Sequence, residues 1–430
     1  MRTSVFLGDV DLPDGVLMLL DPGLGRYWRH DLEPVSPRRD ETPEYDLRIV
    51  GPDAERAGRA YDREFNPLYL FDQPDPDVAK QHFDEFARAR GMDAIAEQLT
   101  VRVPHATRAE LALAAGAGLG AVTYNRFWAV AVGELPRGIG LPVYGIPMGE
   151  GEFAGRWRAI ELVVNAAAAV SSVDDVSGVM AEHGQVMFAS LSALGSFRAG
   201  ESRDGLGDFV FWGRDAKVLA QAVSARALDG DEYGWRDVPM VELRALAQRV
   251  AERCEADDLK VGRDYRPHCH LEALNAQIRS GAERVGTITL GGSRVVACDN
   301  RWGDGVFSVS RMRDASGRVV RVRLELGTEE RQELMRQVWV RHQLAIATRA
   351  ITDDGEPIRF AERVAPNNPS DSGWCFAAGV EDDEYMSDAS NLVIVSLATL
   401  VAQTPALGAI LTAKEGSLFR LEGDAYVPDE

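Results

Sequence analysis

The densest run of reactive side chains in the chain is Asp264, Tyr265, Arg266, Pro267, His268, Cys269 and His270, with Glu272 just behind them. A His-x-His pair on a strand sets both imidazoles on one face, which suits a divalent metal, and Asp264 would complete a candidate ligand set with His268 and His270. Such a set would serve a metal-dependent hydrolase by activating a bound water. A further ligand would have to come from a distant residue such as His183, Asp299 or Asp304, and no spacing rule supports any of them. The same residues also have a purely structural reading. In it Asp264 pairs with Arg266, Pro267 turns the chain, and both histidines hydrogen-bond at the base of a helix reading LEALNAQIRS.

Other catalytic devices are missing. No Gly-x-Ser-x-Gly elbow, His-Glu-x-x-His helix or Walker loop occurs in the sequence. Gly116, Gly118 and Gly120 close a helix instead of following a strand, so they do not make a dinucleotide loop. Cys254, Cys269, Cys298 and Cys375 show no CxxC spacing, which argues against a structural zinc and a disulfide framework. Cys254 continues Leu243, Leu246, Ala247 and Val250 at helical spacing and reads as core filler. No cofactor is expected.

The elements that must position these residues follow from length and pattern. A chain of 430 residues, 45% hydrophobic and 27% charged, is folded throughout and large enough for two or three cores. Short apolar runs from Val5 to Leu20 around DLPDG suggest a hairpin-like pair of strands. Asp77 is placed to cap a helix ending at Gly91, and Thr107 with Glu110 forms a capping box for a second. LPVYGIPMGEGEFAGRWRAIELVVN and GVFSVSRMRDASGRVVRVRLELG (Gly305 to Gly327) have the same strand, turn and strand layout. Ahead of them, GDVDLPDGVLMLLD from Gly8 pairs with GTITLGGSRVVACD from Gly286, as if one β unit were present twice and the first copy carried a helical insertion.

A further helix is expected from Glu329 to about Arg349, then polar stretches at Asp353 to Pro357 and Pro366 to Gly373. The fold class is therefore α+β: two related β-hairpin-rich units with helical insertions, followed by a small α+β C-terminal domain. The expected domains are 1–195, 196–350 and 367–430, with a linker at 351–366.

The segment from Asn367 to Glu430 carries Asp-Ser-Gly-Trp-x-Phe, then Gly379, an acidic run through Glu384, Tyr385, Met386 and Asp388, and the ending Gly416-Ser417-x-Phe419. This string resembles the immunity proteins of bacterial polymorphic toxin systems. Cys375 and Val380 depart from the pattern, where a larger polar and an acidic residue are usual. Upstream, Gly-Asp-Gly-x-Phe-x-Val at Gly303 to Val309 is similar to uncharacterised domains of the same kind of gene product. The resemblance implies a binding protein, not an enzyme, that neutralises a cognate toxin by surface complementarity. Trp374, Phe376 and Tyr385 with the acidic rim Glu381, Asp382, Asp383 and Glu384 would make the contact. Trp302 and Asp304, on a tight turn, are a second candidate anchor.

Charge agrees. The 67 acidic against 47 basic residues give a formal charge of −20, which disfavours nucleic acid and anionic membranes and suits a basic toxin. The N-terminal residues have no secretory pattern and no apolar run reaches the roughly 20 residues of a bilayer span, so a cytoplasmic location is expected.

Overall fold

Strands such as Gly140–Pro147 and Val319–Glu325 bury alternate side chains, so each must lay one face on a neighbour to remove it from water. In the computed structural model these strands build two six-stranded, fully antiparallel sheets. One sheet runs in the order Val5–Asp11, Gly140–Pro147, Trp157–Val163, Val319–Glu325, Gly305–Arg313 and Ser172–Ala181. The other runs Val285–Leu290, Ser293–Asp299, Gln185–Ser190, Leu17–Leu20, Phe127–Val132 and Leu119–Tyr124. The described residues are 4–35, 44–65, 70–149, 151–228, 230–368 and 370–429. The chain divides into Met1–Gly149 with Gly155–Gly327, which holds both sheets, and Glu150–Ala154 with Thr328–Glu430.

The two sheets reveal a two-fold repeat. Each half, ending with Trp157–Val163 or Val319–Glu325, contributes three strands to each sheet in the same sequential order, and the halves meet where Trp157–Val163 pairs Val319–Glu325 and Leu17–Leu20 pairs Gln185–Ser190. Details repeat too. Gly8 and Gly178, with φ of +143° and +142°, both sit at register shifts of their strands. Gly8 packs beneath Thr287, and Gly178 beneath Ala121, the third residues of Val285–Leu290 and Leu119–Tyr124.

This corrects the sequence-based pairing of repeats. The late hairpins do correspond, but Val5–Asp11 and Leu17–Leu20 lie in different sheets and do not pair with each other. Their counterparts are Ser172–Ala181 and Gln185–Ser190, while the hairpin 285–299 corresponds to 119–132. A strand, turn and strand string looks alike whether its turn closes a hairpin or carries the chain between sheets. Strands from both sides of 195/196 share both sheets.

Each half carries an insertion between its second and third strands. The first pairs Leu47–Val50 with Ile95–Gln98 and packs helices Ala54–Phe65 and Pro76–Ala89 around Tyr61, Phe83 and Phe86. Asp75, not Asp77, caps the second of these helices, its Oδ1 accepting from the Val78 N–H at 3.1 Å, because Pro76 takes the first helical position. The insertion is tied down by a buried ion network. Arg108 meets Asp46 and Asp72, each at 2.8 Å, and Arg102 also pairs with Asp72. The second insertion is a four-stranded sheet, Arg226–Ala227, Tyr233–Pro239, Leu206–Trp212 and Gly262–Pro267, with helices Ala216–Val223 and Met240–Ala256 packed on Phe209 and Phe211.

After each insertion a helix leads back into the core: His105–Ala115 and His270–Ser280. The first starts two residues ahead of the expected capping box, following Pro104.

The Thr328–Glu430 unit begins with helix Glu329–His342, capped by Thr328, whose Oγ1 accepts from the Arg331 N–H at 3.2 Å. The helix stops short of Arg349 because Leu344–Thr348, with alternating burial, is a strand. Six strands follow in the order Leu392–Ser396, Leu344–Thr348, Asp371–Ala377, Phe360–Arg363, Leu418–Glu422 and Ala425–Pro428. Phe360–Arg363 lies within the stretch read as linker and pairs on both sides, with Asp371–Ala377 and Leu418–Glu422. Trp374, Phe376, Ala345 and Ala347 point to one face, where Leu397, Leu400 and Leu407 cover them.

Candidate functional site

The His-x-His pair does not form one face of a strand. Gly262–Pro267 ends at the proline, and Cys269 then caps the next helix, its Sγ accepting from the Glu272 N–H at 3.4 Å. The chain turns between the two histidines, so they point to different places. His270 goes inward, where its Nδ1 accepts from the backbone N–H of Arg198 at 3.0 Å. Burial, with the nearby charges of Arg203 and Arg198, lowers its pKa to about 4. Asp264 accepts from Arg266 Nε at 2.7 Å, as in the structural reading of the motif. The expected ligand set Asp264, His268 and His270 is therefore not assembled.

His268 instead meets carboxylates the sequence did not nominate. Its Nδ1 lies 2.9 Å from Asp204 Oδ2, and its Nε2 lies 3.2 Å from Asp208 Oδ1 and 3.8 Å from Asp237 Oδ1. Burial opposes protonation of this imidazole, but the hydrogen bonds to Asp204 and Asp208 outweigh it and raise its pKa. The same contact with His268 lowers Asp204 to about 2. These partners come from separate segments, which is why no spacing in the sequence could group them. Of the distant ligands considered, His183 approaches Asp21 at 3.3 Å and Asp299 pairs with Arg284 at 2.9 Å.

Three of the aromatic anchors proposed from the sequence, Trp302, Trp374 and Phe376, are buried, while Tyr385 is half-buried. Trp374 is 0% exposed and stacks on Phe376 at 5.9 Å between ring centroids. Trp302 is 1% exposed, and its Nε1 donates to the Trp157 carbonyl at 2.6 Å. None of the three can be a contact residue without unfolding its surroundings; indoles are large enough that their burial outweighs an aromatic's preference for interfaces. Asp304 beside Trp302 is exposed.

The acidic run is divided between structural and surface roles. Glu381 folds back to accept from the backbone N–H groups of Ala378 at 2.9 Å and Val380 at 3.0 Å and from the Thr348 hydroxyl. Burial works against its ionisation, yet these donors prevail and hold its carboxyl below the usual range. Asp382 caps the short helix Asp383–Ser387 through Oδ1, which accepts from the Tyr385 N–H at 2.8 Å. The Tyr385 hydroxyl accepts from the Ala350 N–H at 3.1 Å. Glu384 is exposed, and the side chain of Asp383 lies outside the described residues.

What this unit presents to solvent is the other face of its sheet. Strand pairing sets Leu344, Ile346 and Ile394 on the face opposite Ala345 and Ala347, and Phe360 and Leu418 continue it. Ile394 is 71% exposed and sits on the edge strand Leu392–Ser396, whose outer side has no neighbouring strand among the described residues. Just ahead of that strand, Asn391 Nδ2 donates to the Tyr385 carbonyl of helix Asp383–Ser387 at 2.9 Å. Sequence reading missed this face because a short apolar run such as LVIVS reads as fully buried until its sheet position is known.

Residues 345–427 match the family model described as the Immunity protein Imm33 domain. The resemblance to immunity proteins is thus shown for the C-terminal part of the chain, and the matched residues run through the six strands of this sheet. No curated protein and no solved structure matches the chain. Among the described residues, no helix is long and apolar enough to cross a membrane.

Proposed function

We propose that the Thr328–Glu430 unit neutralises a cognate bacterial toxin by direct contact, with the outer face of its sheet as the docking surface. The single observation that carries this is the coincidence of the immunity-domain match at 345–427 with an exposed apolar face on the same six strands. Immunity domains act on toxins by binding, so the match points to binding rather than catalysis. A rigid sheet with Leu344, Ile394, Phe360 and Leu418 exposed supplies the apolar centre that an interface needs. Glu384 and Asp382, on the segment that leads into the edge strand, and Glu362 on the sheet would form a polar rim. The formal charge of −20 favours a basic toxin through faster, steered encounter. Cytoplasmic neutralisation is part of the same reading.

The test uses the toxin encoded beside the gene. The full chain should capture it in pull-down and protect cells expressing it. Ile394→Asp and Phe360→Glu, chosen because their side chains are exposed, should each weaken capture at least tenfold while leaving the thermal melt of the free protein unchanged. Undiminished binding by the double variant would remove this face from consideration. No capture by the native chain would remove the function itself.

A further inference from the structure

The cluster around His268 has the makings of a metal site that differs from the one its sequence motif suggested. Atoms that share one zinc ion at about 2.0–2.2 Å stand roughly 3.0–3.6 Å from one another. His268 Nε2 lies 3.2 Å from Asp208 Oδ1 and 3.8 Å from Asp237 Oδ1, and one donor atom from each of the three residues falls within 4.8 Å of the others. More than acidity is involved. The imidazole is held from behind by Asp204, 2.9 Å from Nδ1, which leaves Nε2 as the nitrogen turned to the other two carboxylates. That is the carboxylate, histidine and metal arrangement by which proteins orient a ligating imidazole.

We propose that Asp208, Asp237 and His268 bind one zinc-class divalent ion, with Asp204 as a positioning residue behind the imidazole. One nitrogen and two carboxylate oxygens favour zinc and its neighbours over calcium, which takes six to eight oxygens, and over magnesium, which keeps most of its water. The three ligands stand on or next to three different strands: Leu206–Trp212, Tyr233–Pro239, and the residue following Gly262–Pro267. A bound ion would therefore cross-link the second insertion across its sheet. Asp237 is the most exposed ligand, at 77%, so the remaining coordination positions face solvent. Asp264 and His270 take no part, being engaged with Arg266 and the Arg198 backbone.

Isothermal titration calorimetry of the full chain, dialysed against EDTA and then against buffer, provides the test. Zinc chloride should bind at one site per chain with micromolar or tighter affinity, and magnesium chloride at least a hundredfold more weakly. His268→Ala and Asp237→Asn should each lower zinc affinity a hundredfold or more. Asp237→Asn alters an exposed side chain, so it keeps the test sharp if His268→Ala disturbs folding. Asp204→Asn should weaken binding about 10–100-fold, as expected for a group acting through the imidazole. Asp264→Asn should leave it unchanged. The proposal is overturned if the native chain takes up no zinc, if zinc binding survives Asp237→Asn, as binding at cysteines would, or if magnesium binds as tightly.

Discussion

His105 and His270 hold equivalent positions in the two halves of the sheet unit. Each opens the helix that follows its half's insertion, and each is clamped by the backbone of one arginine. His105 Nδ1 accepts from the Arg29 N–H at 2.8 Å and its own N–H donates to the Arg29 carbonyl at 3.0 Å; for His270 and Arg198 the distances are 3.0 and 2.9 Å. An aromatic neighbour repeats as well, Trp28 at 5.3 Å from the His105 ring and Phe197 at 6.1 Å from the His270 ring. Both rings must be neutral, since Nδ1 acts as an acceptor.

A pH dependence follows. Burial first, and then neighbouring arginines, lowers the pKa of His270 to about 4 and that of His105 well below the ordinary value. The unfolded chain therefore takes up protons at a higher pH than the folded one does. The stability linked to His270 is complete above about pH 6.5 and is lost as pH falls toward 4, by about 3 kcal/mol, and His105 contributes in the same direction. Asn in place of His270 keeps an acceptor near the Nδ1 position and cannot titrate. Urea melts of native protein and His270→Asn between pH 7 and 4 should diverge in slope, the variant being flatter; parallel curves would contradict this origin for the acid sensitivity.

The bulge glycines should differ in their response to a methyl group. A Cβ at Gly8 would stand 3.0 Å from Cγ2 atoms of both Thr287 and Val296, whereas at Gly178 the nearest atom is Ala121 Cβ at 3.5 Å. Both have φ near +142°, a region costly for any residue with a side chain. Gly178→Ala should destabilise by about 1–3 kcal/mol, and Gly8→Ala by more. Chemical denaturation measures the order; equal losses would show that backbone strain alone decides.

Arg108 neutralises carboxylates that have no water to turn to. Asp46 is raised in pKa chiefly by burial, with Arg108 working against that rise. Arg108→Ala leaves Asp46 without its guanidinium and should cost about 3–5 kcal/mol. Arg48→Ala breaks the exposed pair with Glu97 and should cost about 0–1 kcal/mol. Denaturation midpoints of the two variants give the comparison directly.

Trp374 separates a folding role from a binding role in the immunity-like unit. Trp374→Ala should destabilise that unit by about 3–5 kcal/mol by opening a cavity beside Phe376 and Leu397. Ile394→Asp should leave its stability nearly unchanged. Tryptophan fluorescence and proteolysis of the full chain will show whether the first variant loses its fold while the second keeps it; similar melting of both would mean that Ile394 is packed in solution.

Sequence alone determined what local period and turn chemistry control. The α+β class, the hairpins at 140–163 and 305–325, strand Asp371–Ala377, the final hairpin and the immunity-like string are all legible in the order of residue types, because alternation, capping and turn residues act over a few positions. Tertiary structure decided what depends on pairing between distant segments. It matched Val5–Leu20 with Ser172–Ser190 rather than with 286–299, buried Trp302 and Trp374, turned His270 inward, and gathered Asp204, Asp208 and Asp237 around His268. A side chain's surroundings are set by which strands lie beside it, and residue spacing along the chain carries no record of that.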